Sequence, residues 1–253
     1  ILKYPLFRYD VFAEDLEVYF ENLPRERPLL VSTINPHSFY VAEHDQLFKT
    51  ALRKSHVLLP DGVGVVFAIW LINGKKINRI SGMDIFLYLL RKLDAEKNPQ
   101  MKRVFFLGST DDTLSLIHEK IRQEYPTLSI GSYSPPFKPT FNEDEVNFMV
   151  EKINVFNPHV LFVGMTAPKQ EKWAYANLGH LKAELVCSIG AVFDFYSENL
   201  KRPGKIWQTL GLEWFRRLIG EPKRLWKRSL ISLPYFLTRV CIEAFKKRLI
   251  IKR

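Results

Sequence analysis

Short apolar, β-branched runs alternate along the chain with longer segments in which apolar residues recur every three or four positions. This alternation predicts βαβ units on a mostly parallel sheet flanked by helices. Residues 29–33 (LLVST) read as a strand, followed by a helix over 38–54 and a short strand over 56–59. Residues 104–107 (VFFL), then Gly108 and Ser109, then a helix over 111–125, repeat the order of strand, turn and helix. A strand over 128–133, a helix over 143–156 capped by Asn142, a buried-strand run at 160–163 (VLFV) and a last strand over 184–189 complete the body. No internal repeat or low-complexity segment interrupts it. After about Leu200 the pattern changes: Trp207, Trp214, Phe215, Trp226, Tyr235, Phe236 and Phe245 are interleaved with lysines and arginines, and Pro222 and Pro234 divide the region into short helices. In a helix from Tyr235 onward, Leu237, Val240, Cys241, Ala244 and Phe245 fall on one face, and Arg239, Glu243, Lys246 and Lys247 on another. The chain therefore divides into an α/β body over 1–200 and a helical appendage over 201–253.

Charge sharpens that division. The 253 residues carry a formal charge of +10, yet residues 1–200 hold 22 basic and 24 acidic side chains, whereas 201–253 hold 15 and 3. A hydrophobic share of 47% with 25% charged residues excludes a disordered, collagenous or low-complexity protein. Two isolated cysteines, Cys187 and Cys241, fit neither a disulfide framework nor a structural zinc site, so a reducing compartment is expected. The first ten residues mix Lys3, Arg8 and Asp10 with single apolar positions and show no signal-peptide pattern. The longest apolar stretch, residues 57–72, contains Pro60 and Asp61 and falls short of the roughly 20 residues that span a bilayer, so no transmembrane segment is expected. The basic, aromatic tail by itself fits nucleic acid, a solvated helical face, or an anionic membrane surface.

Three strand ends carry candidate chemistry, because residues there face the crevice where open α/β sheets bind ligands. In LPDGVGVVF (59–67) Asp61 follows a strand beside two glycines; it reads equally as a catalytic carboxylate and as a helix cap. Phe67 stands where a dinucleotide fingerprint has its third glycine, which argues against a nicotinamide or flavin site and against an epimerase or dehydrogenase. STINPH (32–37) ends another strand with small hydroxyl and amide groups suited to a sugar or a diphosphate, or simply to loop punctuation. VGMTAPKQEKW (163–173) places Thr166, Lys169, Gln170 and Glu171 after a third strand, or starts a helix with Pro168 in its first turn. The six histidines form no HxxxH or HxH pair, and GxSxG, GxxxxGK[ST] and DxD are absent. Zinc hydrolase, serine hydrolase and P-loop readings therefore lack support, and no metal site is expected.

Taken together, TIN (33–35), PDGVGVV (60–66), NRISGMD (78–84), FFLGS (105–109), APKQEKW (167–173), FDF (193–195), KRP (201–203) and KIWQTLGLEWFRRLIGEPKR (205–224) resemble the WecG/TagA/CpsF family of bacterial glycosyltransferases, glycosyltransferase family 26. The resemblance implies a Rossmann-like variant of the GT-E type. It also implies inverting, metal- and cofactor-independent transfer from a UDP-sugar to a sugar on undecaprenyl diphosphate, in cell-surface polysaccharide or teichoic acid synthesis. The donor sugar would be N-acetylmannosamine, its uronic acid or glucose. By the same resemblance Asp61 is the general base, and Thr33, Asn35, Arg79, Lys169 and Gln170 contact substrate. Arg217 and Arg224, with Lys227 or Arg228 as a third cation, close over the diphosphate.

Those residue types suit the reaction. An attacking hydroxyl needs a carboxylate to take its proton, and a departing diphosphate needs cations, for which the planar fork of arginine is well shaped. The chain departs from the family pattern at Thr166, Ala191 and Glu198, where glycines are usual, and in KRPG for KRAP, which bears on the donor sugar rather than the reaction class. A lipid-linked acceptor favours the membrane reading of the tail: residues 210–228 complete the site and 229–253 hold the enzyme, without nucleic acid, on the cytoplasmic face of the bacterial inner membrane. The appendage helix also suits a homo-oligomer. The competing class is a non-catalytic basic module for acidic lipid or nucleic acid.

Overall fold

The computed structural model describes residues 2–21, 28–200, 204, 207 and 228–251. Six parallel strands form the central sheet: β3 (Leu29–Ile34), β4 (Val57–Pro60), β5 (Arg103–Gly108), β6 (Ser129–Tyr133), β7 (Val160–Gly164) and β8 (Leu185–Ser188), in the order β4-β3-β8-β7-β5-β6. Five of them read as nearly continuous buried runs, as parallel strands covered on both faces must, and only the edge strand β6 is largely open.

The period of two then sorts their side chains. Val31, Val57, Leu59, Val104, Phe106, Val160, Phe162, Leu185 and Cys187 point to one face, where α5 (Gly82–Asp94), α6 (Asp111–Glu124) and α9 (Val192–Tyr196) supply Phe86, Ile117 and Phe193. Leu30, Phe105, Leu107, Leu161, Val163 and Val186 point to the other, against α7 (Glu143–Phe156) and α8 (Lys169–Asn177). The mostly parallel sheet flanked by helices is the architecture the apolar pattern predicts.

Several boundaries differ from expectation for local reasons. The single helix expected over 38–54 is two, α2 (Pro36–His44) and α3 (Gln46–Arg53). Asp45 adopts extended backbone between them and accepts the Phe48 N–H, capping α3. The apolar run after β4 is α4 (Val63–Asn73), which the fully hydrophobic sequence left without a visible period. An unanticipated antiparallel hairpin, β1 (Lys3–Leu6) with β2 (Tyr9–Phe12), and a short α1 (Leu16–Glu21) precede the sheet.

The last helix, α10 (Leu233–Ile251), does not stand apart from the body. Phe236, Val240 and Ala244 are buried in one cluster with Leu6 and Tyr9 of the hairpin, Phe39 of α2, Leu58 of β4 and Val65, Ala68 and Ile69 of α4. Its inward face is thus the stripe 236/240/244, one residue in every four. Cys241 and Phe245, expected on the apolar inward side, are exposed. The paired helices run in the same direction, since Gly64 faces Phe236 near their starts and Lys247 donates to Asn73 Oδ1 at 2.9 Å near their ends.

Candidate active site

Because all six strands are parallel, their C-terminal ends share one edge of the sheet. At that edge β3 and β4 are in register, Ile34 opposite Pro60, and the Asp61 N–H donates to the Ile34 carbonyl at 2.9 Å. Asp61 therefore sits one residue past a rigid strand, half-buried, beside Asn35. The cap position of α4 belongs to Gly62, not to Asp61, and no side chain caps that helix. Gly62 has φ +100, a conformation that side chains with a Cβ disfavour, and a Cβ there would lie 4.0 Å from the Cβ of Asn35. The following loop is tied back to the same strand end by the Ile80 N–H on the Pro60 carbonyl at 3.0 Å, which brings the half-buried Arg79 alongside.

Asn35 has a structural duty of its own. Its Oδ1 accepts from the His37 and Ser38 N–H groups, both at 3.0 Å, and Ser38 Oγ accepts the Asn35 N–H at 2.7 Å, a reciprocal capping box at the start of α2. The cap uses only the oxygen, and among the described residues the Nδ2 end has no partner. Thr33, half-buried opposite Leu59, lies two residues back on β3. His37 joins the appendage to this corner through Nδ1 and Ser232 Oγ, 2.9 Å apart, in the π-helical turn Arg228–Ser232 that leads into α10.

The second half of the edge is formed by the ends of β7 and β8. Gln170, in the first turn of α8, is 1% exposed: its Oε1 accepts from the Gly190 N–H at 3.2 Å and its Nε2 donates to Glu171 Oε1 at 2.8 Å. Glu171 is 2% exposed, and its Oε2 has no partner among the described residues. Burial pushes its carboxyl up to about 7, against a smaller lowering by the Gln170 amide. Lys169 turns another way: its Nζ donates to the Lys138 carbonyl at 2.8 Å and lies 4.4 Å over the Phe141 ring, and burial lowers its pKa.

Thr33, Asn35, Asp61 and Arg79 are thus gathered at the β3 and β4 ends, Gln170 anchors the β8 end, and Lys169 braces the loop after β6. Arg217, Arg224 and Lys227 lie outside the described residues, and Arg228 is described by its main chain alone. A cavity of about 270 Å³ between α1 and α5, lined by Glu14, Asp15, Tyr88 and Arg91, contains none of these residues. One contributor escaped the sequence: His37 looked like one of six ordinary histidines. Glu171, expected in the crevice with Thr166, Lys169 and Gln170, is instead buried against the Gln170 amide.

A strand-end carboxylate beside the Asn35 amide and close to the Thr33 hydroxyl, on one edge of a parallel sheet, has the groups to hold a hydroxyl and take its proton. The model of the glycosyl transferase WecG/TagA/CpsF family matches residues 1–249. The chain belongs to this family. Among similar proteins, the N-acetylglucosaminyldiphosphoundecaprenol N-acetyl-beta-D-mannosaminyltransferase of Bacillus subtilis (strain 168) is 36% identical over 86% of this chain and 81% of its own length. The protein of that name from Bacillus spizizenii is 30% identical over 90% of this chain and 84% of its own length; one from Staphylococcus aureus (strain MW2) is 27% identical over 90% and 85%. WecG/TagA/CpsF membership makes the chain a glycosyltransferase on a Rossmann-like body. Glu198, where the family pattern has glycine, is held at φ +64 and reaches Lys120 Nζ at 2.6 Å.

Proposed function

We propose that this glycosyltransferase moves N-acetylmannosamine from a UDP donor to N-acetylglucosamine on undecaprenyl diphosphate, with Asp61 as the base. The observation that carries the reading is the placement of Asp61 at the end of β4, fixed by its main-chain bond to β3 and flanked by Asn35 and Thr33. The names of the relatives supply the sugar, the β-linked product and the acceptor. An acceptor hydroxyl brought to Asp61 gives its proton to the carboxylate as its oxygen attacks the anomeric carbon. The bond from that carbon to the UDP oxygen breaks on the opposite side, which inverts the configuration. The negative charge that builds on UDP falls to Arg217, Arg224 and either Lys227 or Arg228. The docking of α10 through Ser232 to His37 supports this assignment, because it brings the chain just after those cations to the corner beside Asn35.

A second part of the proposal concerns the membrane. Among the described residues no helix is long and apolar enough to cross a bilayer. However, α4 is apolar all round: Val63, Phe67 and Trp70, two of them close to half exposed at 45% and 47%, line its outer side, and Ile242, Phe245 and Leu249 line that of α10. Lys75, Lys76, Lys246 and Arg248 flank the ends of these helices, where Lys247 meets Asn73. Apolar side chains ringed by cations suit an anionic lipid surface, which holds the enzyme at the interface where its acceptor resides.

The reaction is tested with UDP-N-acetylmannosamine and a short-chain prenyl-diphosphate-N-acetylglucosamine, scored by UDP release and product mass. Asp61→Asn should lower turnover by about 10²- to 10⁴-fold with UDP-sugar affinity little changed. Near-normal turnover in that variant removes Asp61 as the base, and a product of the wrong mass removes the sugar assignment.

A further inference from the structure

An amide has chemically different ends of nearly equal shape, so its direction in a buried site is set by the partners at each end. Gln170 Nε2 meets a carboxylate oxygen of Glu171, and Oε1 meets the Gly190 N–H. The two contacts agree, since an acceptor faces the amine and a donor faces the oxygen. With an apolar residue at 171 nothing would draw Nε2 to that side, and a buried donor would be left without a partner. Gly190 is the clamped residue: it stands at φ +68 two residues after β8 and opens the turn into α9.

The location gives this clamp its meaning. Asp61 follows β4, one of the two edge strands, so the other strand ends all lie to one side of it, β3 first and β8 next. On the reading proposed above, an acceptor hydroxyl meets Asp61, and a donor laid along the sheet edge from there crosses β3 and reaches the Gly190 turn that follows β8.

We infer that Glu171 is a positioning residue for the donor: it orients the Gln170 amide, which fixes the Gly190 turn against which the UDP-sugar rests. The carboxylate itself touches no substrate. It is a poor choice for stability by itself, because burying a carboxyl with one oxygen unpartnered is unfavourable. Orienting its neighbour is what this position offers in return.

The experiment compares full-length wild type with Glu171→Met, Glu171→Gln, Gln170→Ala and the Glu171→Met/Gln170→Ala double variant, reading kcat, both KM values and the midpoint of thermal unfolding. Methionine keeps the volume and removes the acceptor; relief of the buried carboxyl and the loss of a partner for Gln170 Nε2 oppose each other, so thermal stability should change little, with donor KM raised roughly tenfold and acceptor KM unchanged. Glu171→Gln retains an oxygen of the same reach and should recover most of the donor KM. The double variant should match Gln170→Ala, since without the amide Glu171 has nothing to orient. Donor KM within twofold of wild type in Glu171→Met overturns the inference, as does a fall in stability accompanied by equal changes in both KM values. Direct titration with UDP separates this from the reaction itself. A wild-type chain that binds UDP without transferring sugar overturns the reaction while Glu171→Met still tests the clamp by UDP affinity; a chain that binds no UDP overturns both.

Discussion

At the scale of single residues, the same side chain often serves folding and chemistry through different atoms. Asn35 Oδ1 caps α2 while its Nδ2 remains available beside Asp61. Glu198 accepts a left-handed backbone, unfavourable for a residue with a Cβ, at a place where the family pattern uses glycine. Glu171 is the clearest case, because its burial has a measurable signature. Its carboxyl is raised from the ordinary 4.5 to about 7, so between those values the folded protein binds more protons than the unfolded chain. Ionising the group then works against the fold: its contribution is full below about pH 4.5, declines as pH rises, and levels off above about pH 7. Relative to Glu171→Gln, wild type should lose up to about 3 kcal/mol across that window, measured by urea denaturation at a series of pH values. Parallel pH profiles for the two proteins would show that the carboxyl stays in its ordinary range.

At the scale of elements, the ends of helices do the positioning. The first turn of α8 delivers Gln170 and Glu171 to the β8 end, and Lys172 of the same helix donates to Asp45 Oδ2 at 2.8 Å, tying it to the cap between α2 and α3. The appendage helix α10 is held by packing. Phe236 is fully buried and sits edge-on to Phe39, with ring centroids 5.3 Å apart, so its anchor is the helix that Asn35 starts. Phe236→Ala should destabilise the protein by about 3–5 kcal/mol in chemical denaturation and should weaken UDP-sugar turnover as well, because α10 brings the Arg228–Ser232 turn to His37. Unchanged stability would mean that α10 does not dock on the body in solution.

At the scale of the whole molecule, one edge of a parallel sheet collects the chemistry, and two parallel helices beside it turn apolar side chains outward. Asp61 and the first outward residue, Val63, are two positions apart, so the proposed catalytic corner and the outward apolar surface of α4 are continuous in the chain. Phe67→Ser with Trp70→Ser should reduce sedimentation with vesicles of anionic phospholipid while leaving soluble UDP binding intact, and raised salt should weaken the wild-type interaction. If the double variant sediments as wild type does, the outer side of α4 is not the docking face. Concentration-dependent association without vesicles would instead assign it to a second copy of the chain.

What the sequence alone determined was the alternation of buried runs and amphipathic segments, and with it the parallel α/β body. It also marked the strand-end loops as the place for chemistry, because strand burial and loop composition are local properties. Its charge split separated a near-neutral body from a basic appendage for the same reason. The tertiary structure decided what depends on a partner distant in the chain. That α10 packs through 236/240/244 follows from the shape of α2 and α4. That Gln170 is a clamp follows from Gly190, twenty residues on. That Glu171 is raised toward neutrality follows from the burial imposed by packing against the sheet. A single apolar run such as 63–73 has no period to read, so which of its sides faces the core is settled only by what lies against it.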